Sequence, residues 1–211
     1  MNSAEQTYKE KSKKHFNKQA AIYAQTWDGK YCRKMYGNVL GKIRQFPFVS
    51  LLDVGCGSGE MLAMLKKEFP NVEAYGLDMS EQMLNQARKY LDPNICLQPG
   101  DVDSLPWPDH KFDLLVCNAS FHHFPNPLRS LTEMYRVLQP GGRLLIADPW
   151  WSDKIRQAIN YYLKSPFNLS GDVRIYSRQE MEQLLAASGF GSIDWELIER
   201  TYYIATAVAG Y

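Results

Sequence analysis

Two hydrophobic periods alternate along this chain. Short unbroken apolar runs, the kind buried on both faces of a sheet, recur at Phe48–Val54, Val72–Asp78, Ile95–Gln98, Phe112–Cys117 and Arg143–Ala147. Between them lie stretches of helical period: Glu60–Phe69, Ser80–Tyr90 with Ser80 as cap, Asn126–Leu138 with Pro127 at its start, and Arg178–Ser188 behind the cap Ser177. Two further helices, Glu5–Gln25 and Tyr31–Phe46, precede the first run, and Ile193–Leu197 with Tyr202–Val208 reads as a closing antiparallel pair. Such alternation predicts an α/β fold: a doubly wound, mainly parallel sheet of seven strands, with N-terminal helices and a helical lid insertion. A ligand of such a sheet sits beyond the carboxyl ends of its strands. The expected organisation is one domain over 1–211, with residues 1–46 as a helical cap and 149–176 as the lid.

Bulk properties narrow the class only a little. The 211 residues are 45% hydrophobic with a net charge of +1, so nothing global favours nucleic acid or a membrane surface. No apolar run approaches the ~20 residues that a spanning helix needs. The lysine-rich stretch Met1–Lys18 is the opposite of an apolar secretory leader, and a soluble cytoplasmic monomer or homodimer is expected. Its five lysines read as a solvated face, with a basic arm for RNA as the alternative. The four cysteines (32, 56, 96, 117) form no C-x-x-C pair; 56, 96 and 117 fall in or beside strands, and all four read as reduced core residues, with no metal site expected.

The most informative stretch is Leu51-Leu-Asp-Val-Gly-Cys-Gly-Ser-Gly-Glu60, where a strand runs through three alternating glycines into a helix. Glycine admits positive φ and lets a ligand approach main-chain groups, so this is a site for a nucleotide-like molecule. A dinucleotide fingerprint would need a small residue at position 60. Position 60 is Glu, which is wrong for a pyrophosphate.

Asp53-Val-Gly-Cys-Gly-Ser-Gly59 resembles the first motif of the class I S-adenosylmethionine (SAM) methyltransferases, in which the loop wraps the methionine portion of the cofactor. Three further segments resemble that family in order and spacing. Tyr75-Gly-Leu-Asp-Met-Ser80 resembles its second motif, which implies Asp78 on the ribose hydroxyls and Met79 on the adenine; taken alone, Asp78 could equally be an acidic residue beside the Ser80 cap. Gly100-Asp-Val-Asp-Ser-Leu-Pro-Trp107 implies that Asp101 accepts from the adenine amino group while the Val102 N–H donates to the ring, a carboxylate and an N–H matching that edge. Asp103 reads as a loop Asx turn. Phe112-Asp-Leu-Leu-Val-Cys-Asn118-Ala-Ser-Phe-His-His-Phe124 resembles the fourth motif and implies that Asn118 lies at the cofactor's amino group. Glu133 to Ile146 resembles the segment before the fifth strand, read as structural, with Gly141 left-handed. By the same resemblance Asp53, Gly55, Cys56 and Gly57 contact the cofactor. Phe16-Asn-Lys-Gln-Ala-Ala-Ile-Tyr23 implies Tyr23 near its carboxylate, with Lys30 and Arg33 as alternatives.

The resemblance is to the small-molecule branch (methyltransferase type 11, quinone-biosynthesis-like), and it implies methyl transfer from SAM to a small acceptor. The glycine loop and the segment Ala119–Phe124 differ from those of the quinone C-methyltransferases, so a quinone precursor is one acceptor among several, and O-, N- and C-centres all stay open. A base is needed only for a hydroxyl or a carbon acid. His122 and His123 are the candidates, either as base or as pocket lining, with His15 and His110 expected on the surface. Aromatics after Asp148-Pro-Trp-Trp151, among them Tyr161, Tyr162 and Phe167, either build a dry pocket for a flat or lipophilic acceptor or pack on the core. Two other readings stand beside this one: an NAD(P)-dependent oxidoreductase, opposed by Glu60, and a non-catalytic SAM-binding module, which a damaged loop or a missing Asp78 would signal.

Overall fold

The computed structural model describes residues 3–210. Seven strands form one sheet in the order β3-β2-β1-β4-β5-β7-β6: β1 Ser50–Val54, β2 Glu73–Asp78, β3 Cys96–Pro99, β4 Phe112–Asn118, β5 Leu138–Pro149, β6 Phe190–Ile198 and β7 Tyr202–Ala209. The first five pair in parallel, and β7 runs antiparallel between β5 and β6. The unbroken apolar runs are explained by this placement. Along β1 and β4, Leu52, Val54, Leu115 and Cys117 point into one core while Leu51, Leu114 and Val116 point into the other.

Helices cover both faces. The second face carries α2 (Trp27–Ile43), α3 (Glu60–Glu68) and α4 (Glu81–Ala87), which bring Met35, Val39, Leu62 and Leu84 to its core. The first face is covered by α5 (Pro127–Val137) and α7 (Arg178–Ala187) through Leu131, Met134, Met181 and Leu185. The expected caps form: Ser80 accepts from the Met83 N–H, Asn126 from the Arg129 N–H, and Ser177 with Glu180 makes a capping box. Gly141 is left-handed at φ 80°.

Several boundaries differ from expectation. The first helix, α1, spans only Ser3–Gln19, and Ala20–Gln25 tighten into a 3-10 turn. Thr26 then caps α2, which therefore begins at Trp27 and not at Tyr31. A Cβ on Gly29 would lie 2.1 Å from the Tyr23 carbonyl oxygen, so the tight turn requires that glycine. Strand β5 starts at Leu138, directly after α5. Cys96 is exposed, because β3 is a short edge strand; Cys32, Cys56 and Cys117 are buried. The lid segment contains one helix, α6 (Asp153–Leu163), of which only Leu163 is buried.

Candidate active site

At the carboxyl ends of β1, β2 and β4, three cavities adjoin one another. The first, about 70 Å³, is lined by Asp78, Met79, Asp101 and Val102 and is covered by Lys9, Ser12, Lys13 and Phe16 of α1. The second, about 50 Å³, lies over the glycine loop and is lined by Asp53, Gly55, Cys56, Gly57, Asn118 and Tyr23. The third, about 300 Å³, is walled by His122, His123, Asp28, Asp172, Trp27 and Trp151, among others. Phe16 borders all three, Asp78 joins the first two, and Tyr23 joins the last two.

Local sequence makes the first two. Gly55, Gly57 and Gly59 all take positive φ (75°, 52° and 82°), which turns the chain sharply from β1 into α3. The Gly55 and Cys56 N–H groups donate to the Leu77 carbonyl oxygen, tying the loop to β2. A Cβ on Gly55 would collide with Ser120 Oγ at 2.3 Å, whereas one on Gly57 would meet nothing within 4 Å and would project into the open second cavity. Asp78 closes the arrangement: Oδ2 accepts from the Gly57 N–H and Oδ1 from the Ser80 N–H, each at 2.8 Å. Burial raises the Asp78 carboxyl to about 6, although those two N–H donors pull it down. Burial and then Asp78 raise neighbouring Asp53 to about 7.

These residues pass a test of fit for a SAM-like molecule. Asn118 is buried, and its Oδ1 has no hydrogen-bond partner among the described residues. A buried orphan acceptor bordering a cavity is suited to an ammonium donor. Asp78, at the junction of two cavities, keeps acceptor capacity beyond its two N–H donors, which suits a diol. Tyr23 donates to or accepts from Cys32 Sγ at 3.2 Å, and burial raises its phenol. Arg33 grips Glu60 with two bonds (2.7 and 2.8 Å) and also reaches the Ala24 carbonyl, and neither it nor exposed Lys30 lines any of the three cavities.

Two readings from the sequence need correction here. Asp103 does lie in an Asx-type turn, its N–H donating to Asp101 Oδ1, but its own carboxylate is no free loop group: it is buried and accepts from Lys9 Nζ (2.5 Å) and the Ser130 hydroxyl (2.6 Å). Lys9, in turn, is not part of a solvated face. Only 5% exposed, it also donates to Asp101 Oδ2 at 2.6 Å, while Asp101 Oδ1 accepts from the Asp103 N–H. Lys9, Ser12, Lys13 and Phe16 stand at i, i+3, i+4 and i+7, one face of a helix. That spacing was the available signal.

The third cavity is assembled over long range. Ala119, left-handed at φ 51°, swings the chain from β4 across the cleft and presents His122 and His123 with ring centroids 4.1 Å apart. His122 Nδ1 lies 2.8 Å from Oδ1 of Asp148, buried at the end of β5. Burial alone would lower His122, but the Asp148 carboxylate raises it to about 9. Burial and that adjacent charge lower His123 to about 3. His122 is thus the charged member at neutral pH, and His123 keeps a lone pair. Asp172 Oδ1 approaches His123 Nδ1 at 3.1 Å, out of hydrogen-bond alignment, and His123 also packs edge-on against Phe16. His122, His123 and Asp172 each bring a possible ligand atom within 4.8 Å of the others, as two adjacent His–Asp pairs must. His15, expected on the surface, lines this cavity beside Asp28, 3.4 Å away. Its aromatic wall comes from Phe16, Tyr23, Trp27, Tyr31 and Trp151, whereas Tyr161, Tyr162 and Phe167 are exposed and line none of the three cavities.

Residues 52–146 match the family model described as a methyltransferase domain. The sequence is 40% identical over 101 residues to a demethylmenaquinone methyltransferase of Deinococcus radiodurans, covering 46% of this chain and 42% of that one. It is 36% identical over 107 residues to a trans-aconitate 2-methyltransferase of the same organism, covering 51% and 40%. The chain therefore spans under half the length of these relatives. In three dimensions it is similar to a Haloferax volcanii methyltransferase solved with the Trm112 activator, with TM-score 0.78, 20% identity and coverage of 93% and 98%. The fold is the one this solved methyltransferase structure has, a seven-stranded, mainly parallel, Rossmann-like sheet, and residues 52–146 are similar in sequence to a methyltransferase domain.

Proposed function

We propose that this protein is a cytoplasmic enzyme that transfers the methyl group of SAM to a small-molecule acceptor bound in the third cavity. The observation that carries the proposal is the run of three adjoining cavities, from Asp101 past the glycine loop to His123. On this reading Asp101 and Val102 recognise the adenine edge, Met79 packs on its ring, and Asp78 accepts from the ribose hydroxyls. Gly55, Cys56, Gly57 and Asp53 line the methionine portion, Asn118 accepts from its ammonium group, and Tyr23 marks its far end. Residues 1–46 act as a cap and 149–176 as a lid.

Bound there, SAM would supply a methyl group already activated on a sulfonium: the acceptor's electron pair forms the new bond to carbon as the carbon–sulfur bond breaks and its electron pair stays on sulfur. The chain's own contribution is mostly alignment, which can supply ~7–11 kcal/mol. Phe16, at the junction of the cavities, helps to exclude water. For an acceptor that must lose a proton, His123 is the available base as the uncharged member of the pair, a weak one because burial and charged His122 oppose its protonation, with Asp172 beside it to offset that charge. His122, held by Asp148, positions His123 and the acceptor. Glu60 opens α3 in an ion pair with Arg33, which disfavours a pyrophosphate and with it the nicotinamide reading. The two relatives' names specify a quinone and an unsaturated acid; the aromatic wall of this cavity favours a flat or lipophilic acceptor.

The test is incubation with methyl-labelled SAM and a panel of phenols, quinols, amines and carbon acids. Label transferred to one of these by the wild type, and far more slowly by His123→Ala, supports the proposal. A protein that binds S-adenosylhomocysteine but labels no member of the panel would remove the small-molecule assignment.

A further inference from the structure

Exposed large apolar side chains are unevenly spread over this surface. Of the twelve among the described residues, six fall within 151–169: Trp151, Ile155, Tyr161, Tyr162, Phe167 and Leu169. Tyr161 is 84% exposed, and Phe167 and Leu169 are each 75% exposed. Scattered single residues of this kind need no explanation, but a cluster on one short segment marks an interaction surface. Helix α6 buries only Leu163 and leaves Ile155, Tyr161 and Tyr162 facing solvent. The cluster is outside the cavities apart from Trp151, so enclosing an acceptor does not account for it.

The charge beside this segment indicates what it meets. Helix α1 lies against it: the Tyr8 hydroxyl donates to the Leu163 carbonyl oxygen at 3.4 Å, and Ser12 packs so closely on Gly171 that a Cβ there would lie 2.4 Å from its nitrogen. Lys11, Lys14 and Lys18 of α1, with Lys154 and Lys164 of the segment itself, form no ion pair among the described residues. Two glutamates, Glu5 and Glu10, stand against the α1 lysines. Asp153 is matched by Arg156. Aromatic and aliphatic side chains flanked by unpaired lysines are the composition of a helix that lies in a bilayer interface and meets anionic headgroups. No helix among the described residues is long and apolar enough to cross a membrane.

We infer that residues 151–169, together with the lysine face of α1, form a docking surface for an anionic lipid bilayer, with Phe167 and Leu169 inserted among the headgroups. The net charge of +1 over the whole chain does not show this local excess of lysine. Trp151, Ile159 and Ser170 belong both to this stretch or its edge and to the wall of the large cavity, so docking brings part of that wall to the bilayer. If the cavity takes a methyl acceptor as proposed, a lipophilic one would reach it from that side. The docking surface itself does not depend on that reading.

The test is sedimentation of the full chain with vesicles of phosphatidylglycerol and, separately, of phosphatidylcholine, with no cofactor present. The expected result is strong, salt-sensitive binding to the first and weak binding to the second. The double variant Phe167→Glu/Leu169→Glu should abolish it. Lys14→Glu/Lys164→Glu should weaken it by ~25-fold or more, at ~5-fold for each lysine removed near an anionic surface. All four positions are exposed, and circular dichroism checks that the variants keep the fold. Absence of binding to phosphatidylglycerol vesicles by folded protein would overturn the inference. So would a concentration-dependent dimer that Phe167→Glu dissolves while vesicle binding is nil.

Discussion

The two ends of the cleft are built by different means. At the end proposed for the cofactor, between β1 and β2, the lining is held largely by the backbone: the Gly57 and Ser80 N–H groups both donate to Asp78, with Lys9 reaching in from α1 to Asp101. Main-chain groups and one carboxylate do most of the work there. At the end proposed for the acceptor every decisive pair joins two side chains from separate segments: His122 with Asp148, His123 with Asp172, and His15 with Asp28. The first end is a backbone shape fixed by glycine, which tolerates little variation. The second is a set of side chains brought together by packing, where substitution can change the acceptor and leave the sheet alone. A fold that separates the two can keep one donor and serve many acceptors.

Variants should divide along the same line. The largest effect on the cofactor end should come from Gly57→Val, which places two methyl groups in the second cavity at a residue whose φ is 52°. Affinity for S-adenosylhomocysteine should fall roughly 100-fold or more, the loss of several contacts at once, with circular dichroism unchanged. Asp78→Ala should follow, at about 1.5–3 kcal/mol for a lost charge-assisted bond, read by calorimetry. In the wild type that affinity should also decline as pH falls through about 6, where Asp78 gains its proton. The fold responds with the opposite sign: a carboxyl whose pKa is raised by folding adds stability at low pH that is lost as pH rises through about 6.

The acceptor end should show its own pH signature. His122 is raised from 6.5 to about 9 in the folded state, so its contribution is fully present below 6.5 and is lost as pH rises through about 9. His123 is lowered and costs stability only on the acid side of 6.5. Thermal unfolding should therefore weaken across that alkaline window by roughly 1–3 kcal/mol, and Asp148→Asn should flatten the slope without changing S-adenosylhomocysteine affinity. The smallest effect is expected of Arg33→Met. Its exposed guanidinium is spent on half-buried Glu60, a surface pair worth about 0–1 kcal/mol, and cofactor affinity should stay within about twofold.

The same division governs how much could be read from the chain. The mainly parallel seven-stranded sheet with its closing antiparallel pair, helices on both faces and the caps Ser80, Asn126 and Ser177 were legible because periodicity and capping are local. So was the grouping of Gly55, Gly57, Asp78, Asp101 and Asn118 around one cleft. The missed features all depend on tertiary distance. Lys9 looked like one of five solvated lysines until Asp101 and Asp103 were brought to it, and the turn at Asp103 gave no sign that Ser130 and Lys9 enclose its carboxylate. His15 was assigned to the surface because nothing in α1 signals that the 3-10 turn at Ala20–Gln25 folds Asp28 back beside it. Tyr161 and Phe167 were expected to face inward, since aromatic character says that a side chain wants cover without saying which cover.

The central claim is that donor and acceptor ends are separable, and calorimetric titration of the wild type and Trp151→Ala, a residue that lines the third cavity and neither of the others, with S-adenosylhomocysteine and with NADH as control, tests it most directly. The account predicts micromolar binding of S-adenosylhomocysteine, equal in both proteins, and no heat from NADH. Affinity lost in Trp151→Ala, or NADH bound by the wild type, would contradict it.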